Sequence, residues 1–254
     1  MTRILGIIPA RYASTRFPAK PLADIAGKSM VQWVYTQATQ SKKINKVIVA
    51  TDDQRIFDHV KSFGGTVCMT SADHVSGTDR CFEALSKQNE KYDYVINVQG
   101  DEPFIAPEQI DLLGDLLDGK TELATLAKKI EDEEALVNPN VVKLVKGLNG
   151  EALYFSRATI PYLRNKVEHT FFKHIGMYAY RSDILEKITK LPVSKLEKAE
   201  SLEQLRWLEN GFRIKVAETE RETIGVDTPE DLEKAVTFLK KALTESTDRT
   251  KKNG

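Results

Sequence analysis

Ile4-Leu5-Gly6-Ile7-Ile8-Pro9-Ala10-Arg11-Tyr12-Ala13-Ser14-Thr15-Arg16-Phe17-Pro18-Ala19-Lys20-Pro21-Leu22 is the stretch from which the rest of the chain can be read. The apolar run Ile4–Pro9 has the length and continuity of a strand buried on both faces, as in a parallel sheet. It then breaks into a loop. Residues 1–23 hold Arg3, Arg11, Arg16 and Lys20 and no acid. A loop leaving the C-terminal end of a strand is where open α/β sheets bind ligands. Arg presents a planar fork to phosphate oxygens and Lys a point charge, and Ser14 and Thr15 add hydroxyl donors. On charge alone, a polyphosphate site and a solvated basic loop weigh about equally. The loop is neither a Walker loop nor GxGxxG.

Downstream, the same alternation repeats. Met30, Trp33, Val34 and Ala38 fall at helical spacing, Val47–Ala50 reads as a second strand, and Ile56, Phe57, Val60 and Phe63 as a helix stopped by Gly64-Gly65. Thr66–Met69 is a third strand, Cys81, Phe82 and Leu85 mark a helix, Tyr94–Val98 is a fourth strand, and Ile110, Leu113 and Leu117 lie on the helix behind it. Repeated βα units predict a mostly parallel sheet with helices on both faces. The pattern then changes. Leu123–Ile130, Val141–Val145, Ala152–Phe155 and Phe171–Tyr180 are strands, with a hairpin turn at Gly147-Leu148-Asn149-Gly150. Leu202, Leu205 and Leu208 give a short helix, Ile214–Ala217 returns to strand, and Thr228-Pro229-Glu230-Asp231 opens a last helix whose apolar face is Leu232, Ala235, Val236, Leu239 and Leu243. One domain over residues 1–243 is expected. Its core is about 1–119 and 216–243, with a more antiparallel subdomain inserted at about 120–215, and 244–254 is a frayed tail.

Two acidic segments add chemistry. In Asn97-Val98-Gln99-Gly100-Asp101-Glu102-Pro103 a strand ends in Gly and two acids, where a carboxylate suits Mg²⁺, which shares its oxygen ligands with phosphates. A capping acid before the helix near Pro107 is the plainer reading. Asp227, just ahead of a capped helix, has turn chemistry as its plain role. Taken with Asp101, it makes a two-carboxylate magnesium site plausible.

These segments, with Thr51-Asp52, Cys68-Met69-Thr70, Ala72-Asp73-His74, Ser76-Gly77-Thr78, Asn138-Pro139-Asn140, Tyr154–Pro161, His174-Ile175-Gly176, Leu202–Arg206 and Gly225–Leu232, resemble in order the cytidylyltransferases for 3-deoxy-manno-octulosonate (Kdo) of Gram-negative lipopolysaccharide synthesis. The resemblance spans about residues 3–240. It departs at Ala19, where the pattern has Gly, so that freedom for φ > 0 is lost there. The resemblance implies the three-layer α/β/α nucleotide-diphospho-sugar transferase fold and transfer of CMP from CTP to Kdo. It implies Arg11, Ser14, Arg16 and Lys20 on the CTP phosphates, and Ala72, Asp73, His74, Ser76 and Arg80 with Gln99 and Gly100 around the nucleoside. It also implies Mg²⁺ on Asp101 and Asp227, and Arg157, His174, Tyr178, Glu203 and Gln204 facing Kdo. Lys20, Arg11, Asp101 and Asp227 are the expected catalytic set. A homodimer in the cytoplasm is the implied setting.

Bulk properties agree. Lys plus Arg and Asp plus Glu are 37 each, so the net charge is zero, against a nucleic-acid coat or membrane-surface protein. No apolar run is long enough to cross a membrane, and the first one ends at Pro9, too early for an export signal. Cys68 and Cys81 lack CxxC spacing and read as reduced thiols. The alternatives are another acid sugar (8-amino-Kdo or a sialic acid), a uridylyl- or guanylyltransferase, and a non-catalytic nucleotide-binding domain. The last would be expected to lose Lys20, Asp101 or Asp227, and all three are present.

Overall fold

The computed structural model describes residues 2–13, 17–222 and 225–239. Ser14, Arg16, Leu243 and the expected tail fall outside these.

The first apolar run forms strand β1 (Ile4–Ala10), which pairs in parallel with β4 (Lys46–Thr51) and with β6 (Tyr94–Asn97). β4 pairs in parallel with β5 (Val67–Met69). On the far side β6 meets β10 (Phe172–Arg181) antiparallel, β10 meets β7 (Leu123–Lys129) antiparallel, and β7 meets β11 (Ile214–Glu218) in parallel. The order is β11-β7-β10-β6-β1-β4-β5. Along this path only β10 runs against the others, so the sheet is mixed and mostly parallel, as expected. Two further strands, β8 (Lys143–Lys146) and β9 (Ala152–Ser156), form the hairpin expected around Gly147–Gly150, and β8 docks on the start of β10. Gly150 takes φ 75°, the turn conformation that favours glycine. The stretch 120–215 thus supplies β7 to β10 to the central sheet, and β11 carries the chain across its C-terminal limit.

Alternation within the strands makes the layers. Leu5 and Ile7 of β1 bury on one face with Cys81, Leu185 and Trp207, while Ile4 and Ile8 bury on the other with Val34, Ile56 and Leu113. The first group brings α3 (Gly77–Ser86), α6 (Ser182–Thr189) and α8 (Gln204–Glu209) against the sheet, and the second brings α1 (Met30–Ala38), α2 (Gln54–Ser62) and α4 (Pro107–Asp115). Three layers follow. Helices α5 (Glu133–Val137), α6 and α7 (Lys195–Glu200) are not evident from periodicity, since two are too short for a full apolar stripe.

The basic loop folds back on itself. The Ala19 amide donates to the Tyr12 carbonyl at 3.0 Å, a short 3₁₀ turn covers Lys20–Leu22, and a small hairpin, β2 (Asp24–Ile25) and β3 (Lys28–Ser29), leads into α1. The helix over residues 229–239 packs Ala235 and Leu239 on Ile25 and Met30 of this hairpin and helix. Ala19 itself holds φ 59°, ψ 16°, a left-handed conformation that costs a Cβ-bearing residue. Ala19→Gly is therefore expected to raise stability by about 0.5–1 kcal/mol in urea denaturation. An unchanged or lower midpoint would mean that the loop tolerates the Cβ without strain.

Candidate active site

From β1 the chain moves outward to β4 and β5, whereas beyond β6 the sheet continues to β10, β7 and β11. The reversal between β1 and β6 is a topological switch point, where the two following loops diverge and leave a crevice. A cleft of about 250 Å³ lies there, lined by Arg11 beyond β1, by Gln99, Gly100 and Asp101 beyond β6, and by Lys20 and Asp227. Gly100 allows the close approach of the two loops, because a Cβ on it would sit 2.6 Å from the Pro9 carbonyl oxygen.

The two aspartates, half a chain apart in sequence, converge. The Val226 amide donates to the Asp101 carbonyl at 2.9 Å, tying the two acidic segments together by their backbones. Thr228 caps the last helix by accepting from the Asp231 amide at 3.2 Å, and Asp231 Oδ2 accepts in turn from the Thr228 and Asp227 amides. Lys20 Nζ donates to Asp101 Oδ2 and to Asp227 Oδ1, each at 3.0 Å. Among the described residues no group of three or more His, Cys, Asp or Glu side chains is placed to hold a metal. The pair nonetheless fits magnesium, which is usually held by one or two carboxylates together with substrate phosphates and water. The observation behind that fit is that both carboxylates already converge on one cationic atom.

Glu102, the second acid of the motif, turns inward. Burial, with Asp101 beside it, pushes its carboxyl up to about 8, so at neutral pH it is mostly uncharged. Nothing in the run Asp101-Glu102 indicates which acid faces out.

On the opposite wall, Ser76 caps α3 by accepting from the Asp79 amide at 3.1 Å. His74 Nε2 is hydrogen-bonded to Glu83, which also accepts from the Ser71 amide at 2.8 Å. Although burial pushes Glu83 up, Lys87, the Ser71 amide and His74 bring its carboxyl down to about 2. Glu83 is a supporting residue that sequence reasoning missed. Arg80 also borders the cleft but is 3% exposed. Its Nη2 pairs with Asp52 at 3.0 Å and its Nη1 reaches Thr70 Oγ1 at 2.5 Å, so it braces the loop that follows β5. Ala72 and Asp73 are exposed and do not line the cleft, whereas Val75, which does, is an exposed apolar side chain at its rim.

A family model for cytidylyltransferases matches residues 5–221. A 3-deoxy-manno-octulosonate cytidylyltransferase of Cytophaga hutchinsonii is 61% identical over 236 residues, covering 90% of this chain and 94% of that protein. One of Parabacteroides distasonis is 58% identical over 250 residues, covering 94% and 99%. The chain belongs to the 3-deoxy-manno-octulosonate cytidylyltransferase family. Among solved structures, CMP:2-keto-3-deoxy-manno-octonic acid synthetase complexed with CTP superposes with a TM-score of 0.90 at 45% identity, covering 95% of this chain and all of that one. A 4-diphosphocytidyl-2C-methyl-D-erythritol synthase of Anaerococcus prevotii, 17% identical with a TM-score of 0.63, shares the fold.

Beyond Gln99 lies the second group of residues that the family resemblance singles out. Gln99 Nε2 donates to the Gly176 carbonyl at 2.7 Å, an acceptor presented where the pairing of β10 with β7 slips between Ile175 and Tyr178. Bulges of this kind re-aim groups next to active sites. Thr125 Oγ1 lies 2.8 Å from the Met177 carbonyl, 3.1 Å from the Ile175 carbonyl and 3.0 Å from His174 Nε2. Its single proton goes to a carbonyl, so His174 donates from Nε2. Burial lowers the His174 imidazole to about 3, so it stays neutral at physiological pH. His174 packs on Tyr178 at 5.1 Å, and Tyr178 on Trp207 at 5.1 Å. Glu203 Oε2 accepts from Thr78 Oγ1 at 2.7 Å, and burial raises its carboxyl. Gln204 is buried. Arg206, a possible partner for Glu203 by helical spacing, pairs instead with Glu197 at 2.7 Å.

Arg157 is placed differently. Its Nε donates to the Glu200 carbonyl at 2.7 Å, Nη1 to the Pro139 carbonyl at 3.0 Å and Nη2 to the Ser201 carbonyl at 3.4 Å. The guanidinium thus tethers the end of α7 to the turn at Pro139. Arg157→Ala is expected to cost about 1–3 kcal/mol of stability by stranding these acceptors. Denaturation should detect the loss. Unchanged stability with a tenfold higher KM for the sugar would assign Arg157 to the substrate instead.

Proposed function

We propose that the protein transfers CMP from CTP to the 2-hydroxyl of Kdo, giving CMP-Kdo and pyrophosphate. The observation that carries this reading is the convergence of Arg11, Lys20, Asp101 and Asp227 on one switch-point cleft, in a chain so similar to Kdo cytidylyltransferases. The sugar oxygen forms a bond to the α-phosphorus, the bond from that phosphorus to the β-phosphate bridging oxygen breaks, and the hydroxyl proton passes to solvent. Such transfers depend on positioning and on neutralising charge. Arg11 and Lys20 stabilise the charge that collects on departing pyrophosphate. Asp101 and Asp227 would hold a magnesium ion, which lowers the charge on the α- and β-phosphates and makes the sugar hydroxyl more acidic. The wall from His74 to Arg80 encloses the nucleoside, with Ser14 and Arg16 of the basic loop on the phosphates. His174, Tyr178, Glu203 and Gln204, beside Gln99, face the sugar, with the neutral His174, whose one N–H goes to Thr125, offering its other ring nitrogen as an acceptor.

The reading carries with it a cytoplasmic homodimer serving lipopolysaccharide synthesis, formed through the 120–215 region. No helix among the described residues is long and apolar enough to cross a membrane. Pyrophosphate release is expected to require both CTP and Kdo, with UTP, GTP and ATP markedly poorer. Equal rates with UTP, or activity with a sialic acid and none with Kdo, would overturn the substrate assignment.

A further inference from the structure

We infer that Lys20 competes with the divalent ion: with no nucleotide bound, its ammonium holds the position between Asp101 and Asp227 that the ion needs. The inference rests on the magnesium reading above and says how that ion gains entry.

Lys20 is not a wandering surface lysine. Its backbone is fixed by a turn in which the Leu22 amide donates to the Ala19 carbonyl at 2.8 Å and the Ala23 amide to the Lys20 carbonyl at 3.1 Å, and its side chain is 16% exposed. The backbones that carry the carboxylates are tied as well, that of Asp101 through the Val226 amide and that of Asp227 through Asp231. The four-carbon stem of Lys20, with more rotatable bonds than either aspartate, has the most freedom to move. Its ammonium is a compact point charge with three donors, and two of them are engaged at 3.0 Å, one by each carboxylate.

A divalent ion arriving alone meets a carboxylate pair already partly neutralised. It also has to displace the ammonium and then sit beside it, with like charges in contact. A magnesium ion that gives up its water reluctantly gains little from that exchange. A triphosphate changes the balance, because it brings several negative charges and a new partner for the ammonium. Lys20 then passes the carboxylates to the ion and takes phosphate oxygens itself. Metal and nucleotide each raise the affinity of the other, as linkage requires.

Manganese, whose free ion is counted by electron paramagnetic resonance, is the probe. Without nucleotide, Lys20→Met is expected to bind Mn²⁺ at least about tenfold more tightly than the wild type, within the usual span of coupling between sites. Equal affinities overturn the inference. If Lys20→Met does not fold, the wild type labelled with ¹⁵N-lysine gives the answer. The Lys20 ammonium signal should stay unmoved by millimolar Mg²⁺ alone and shift when CTP is added with it, and a shift with Mg²⁺ alone overturns the inference. Asp101→Asn separates the two levels of reading. Mn²⁺ bound equally by wild type and Lys20→Met, but lost on Asp101→Asn, leaves the metal site standing and removes the role of Lys20. Mn²⁺ binding that survives Asp101→Asn places the ion elsewhere and removes both.

Discussion

Asp101→Asn and Asp227→Asn are each expected to fold normally and to lose at least about 100-fold in turnover, roughly 2.7 kcal/mol of barrier. Asparagine keeps the size and one acceptor oxygen, so each variant can still accept from the Lys20 ammonium that now lies 3.0 Å from both carboxylates. What it loses is charge. With one carboxylate gone, the remaining one cannot alone compensate a divalent ion beside a triphosphate. Because both residues would serve one metal, the double variant should be little worse than either single one. Fully multiplicative losses would argue for separate roles. Near-normal turnover of a single variant at saturating Mg²⁺, CTP and Kdo would remove that residue from the catalytic set.

Arg80→Met is expected to cost about 3 kcal/mol of folding stability, the low end for a buried pair, because it leaves the partly buried Asp52 unpaired. The side chains of Arg80 and Asp52 are 4% and 14% exposed, and Arg80 also holds Thr70 Oγ1 at 2.5 Å and the Ser71 carbonyl at 3.2 Å. Adding Asp52→Asn should recover part of the loss by removing the stranded charge. Urea denaturation of the two variants checks both statements. A loss for Arg80→Met below about 1 kcal/mol would show that water reaches Asp52 and that the pair does not brace the cleft wall. CTP affinity should fall along with stability, since the segment Thr70–Ser76 is held in place through this arginine.

The order of strands and helices in the first half was legible because each element carries its own periodicity. Ile4–Ala10 and Val47–Ala50 are unbroken apolar runs, and α2 ends where Gly64 takes φ 79°. The β2–β3 hairpin was not legible, since two-residue strands have no period to detect. Nor was the left-handed Ala19 foreseeable from local preference, as alanine there is held by the closure between Tyr12 and Ala19. Arg157 illustrates a different limit. A basic residue in a motif shows that a cation is wanted, but not whether its partners are a substrate carboxylate or the main-chain carbonyls of residues 139, 200 and 201.

By itself the sequence determined the α/β class, the basic loop after β1 and the capped helix after Asp227, since patterning, charge and capping act over a few residues. It also carried enough ordered motifs to place the chain in its family. Only the tertiary structure decided that Asp101 faces the cleft while Glu102 is buried and mostly uncharged. It alone put Arg206 on Glu197 rather than Glu203, and Lys20 between two aspartates drawn from opposite halves of the chain. The physical reason is the same in each case. Which of two neighbouring polar side chains is desolvated, and which distant charge it meets, depends on how strands far apart in sequence are brought to one edge of the sheet.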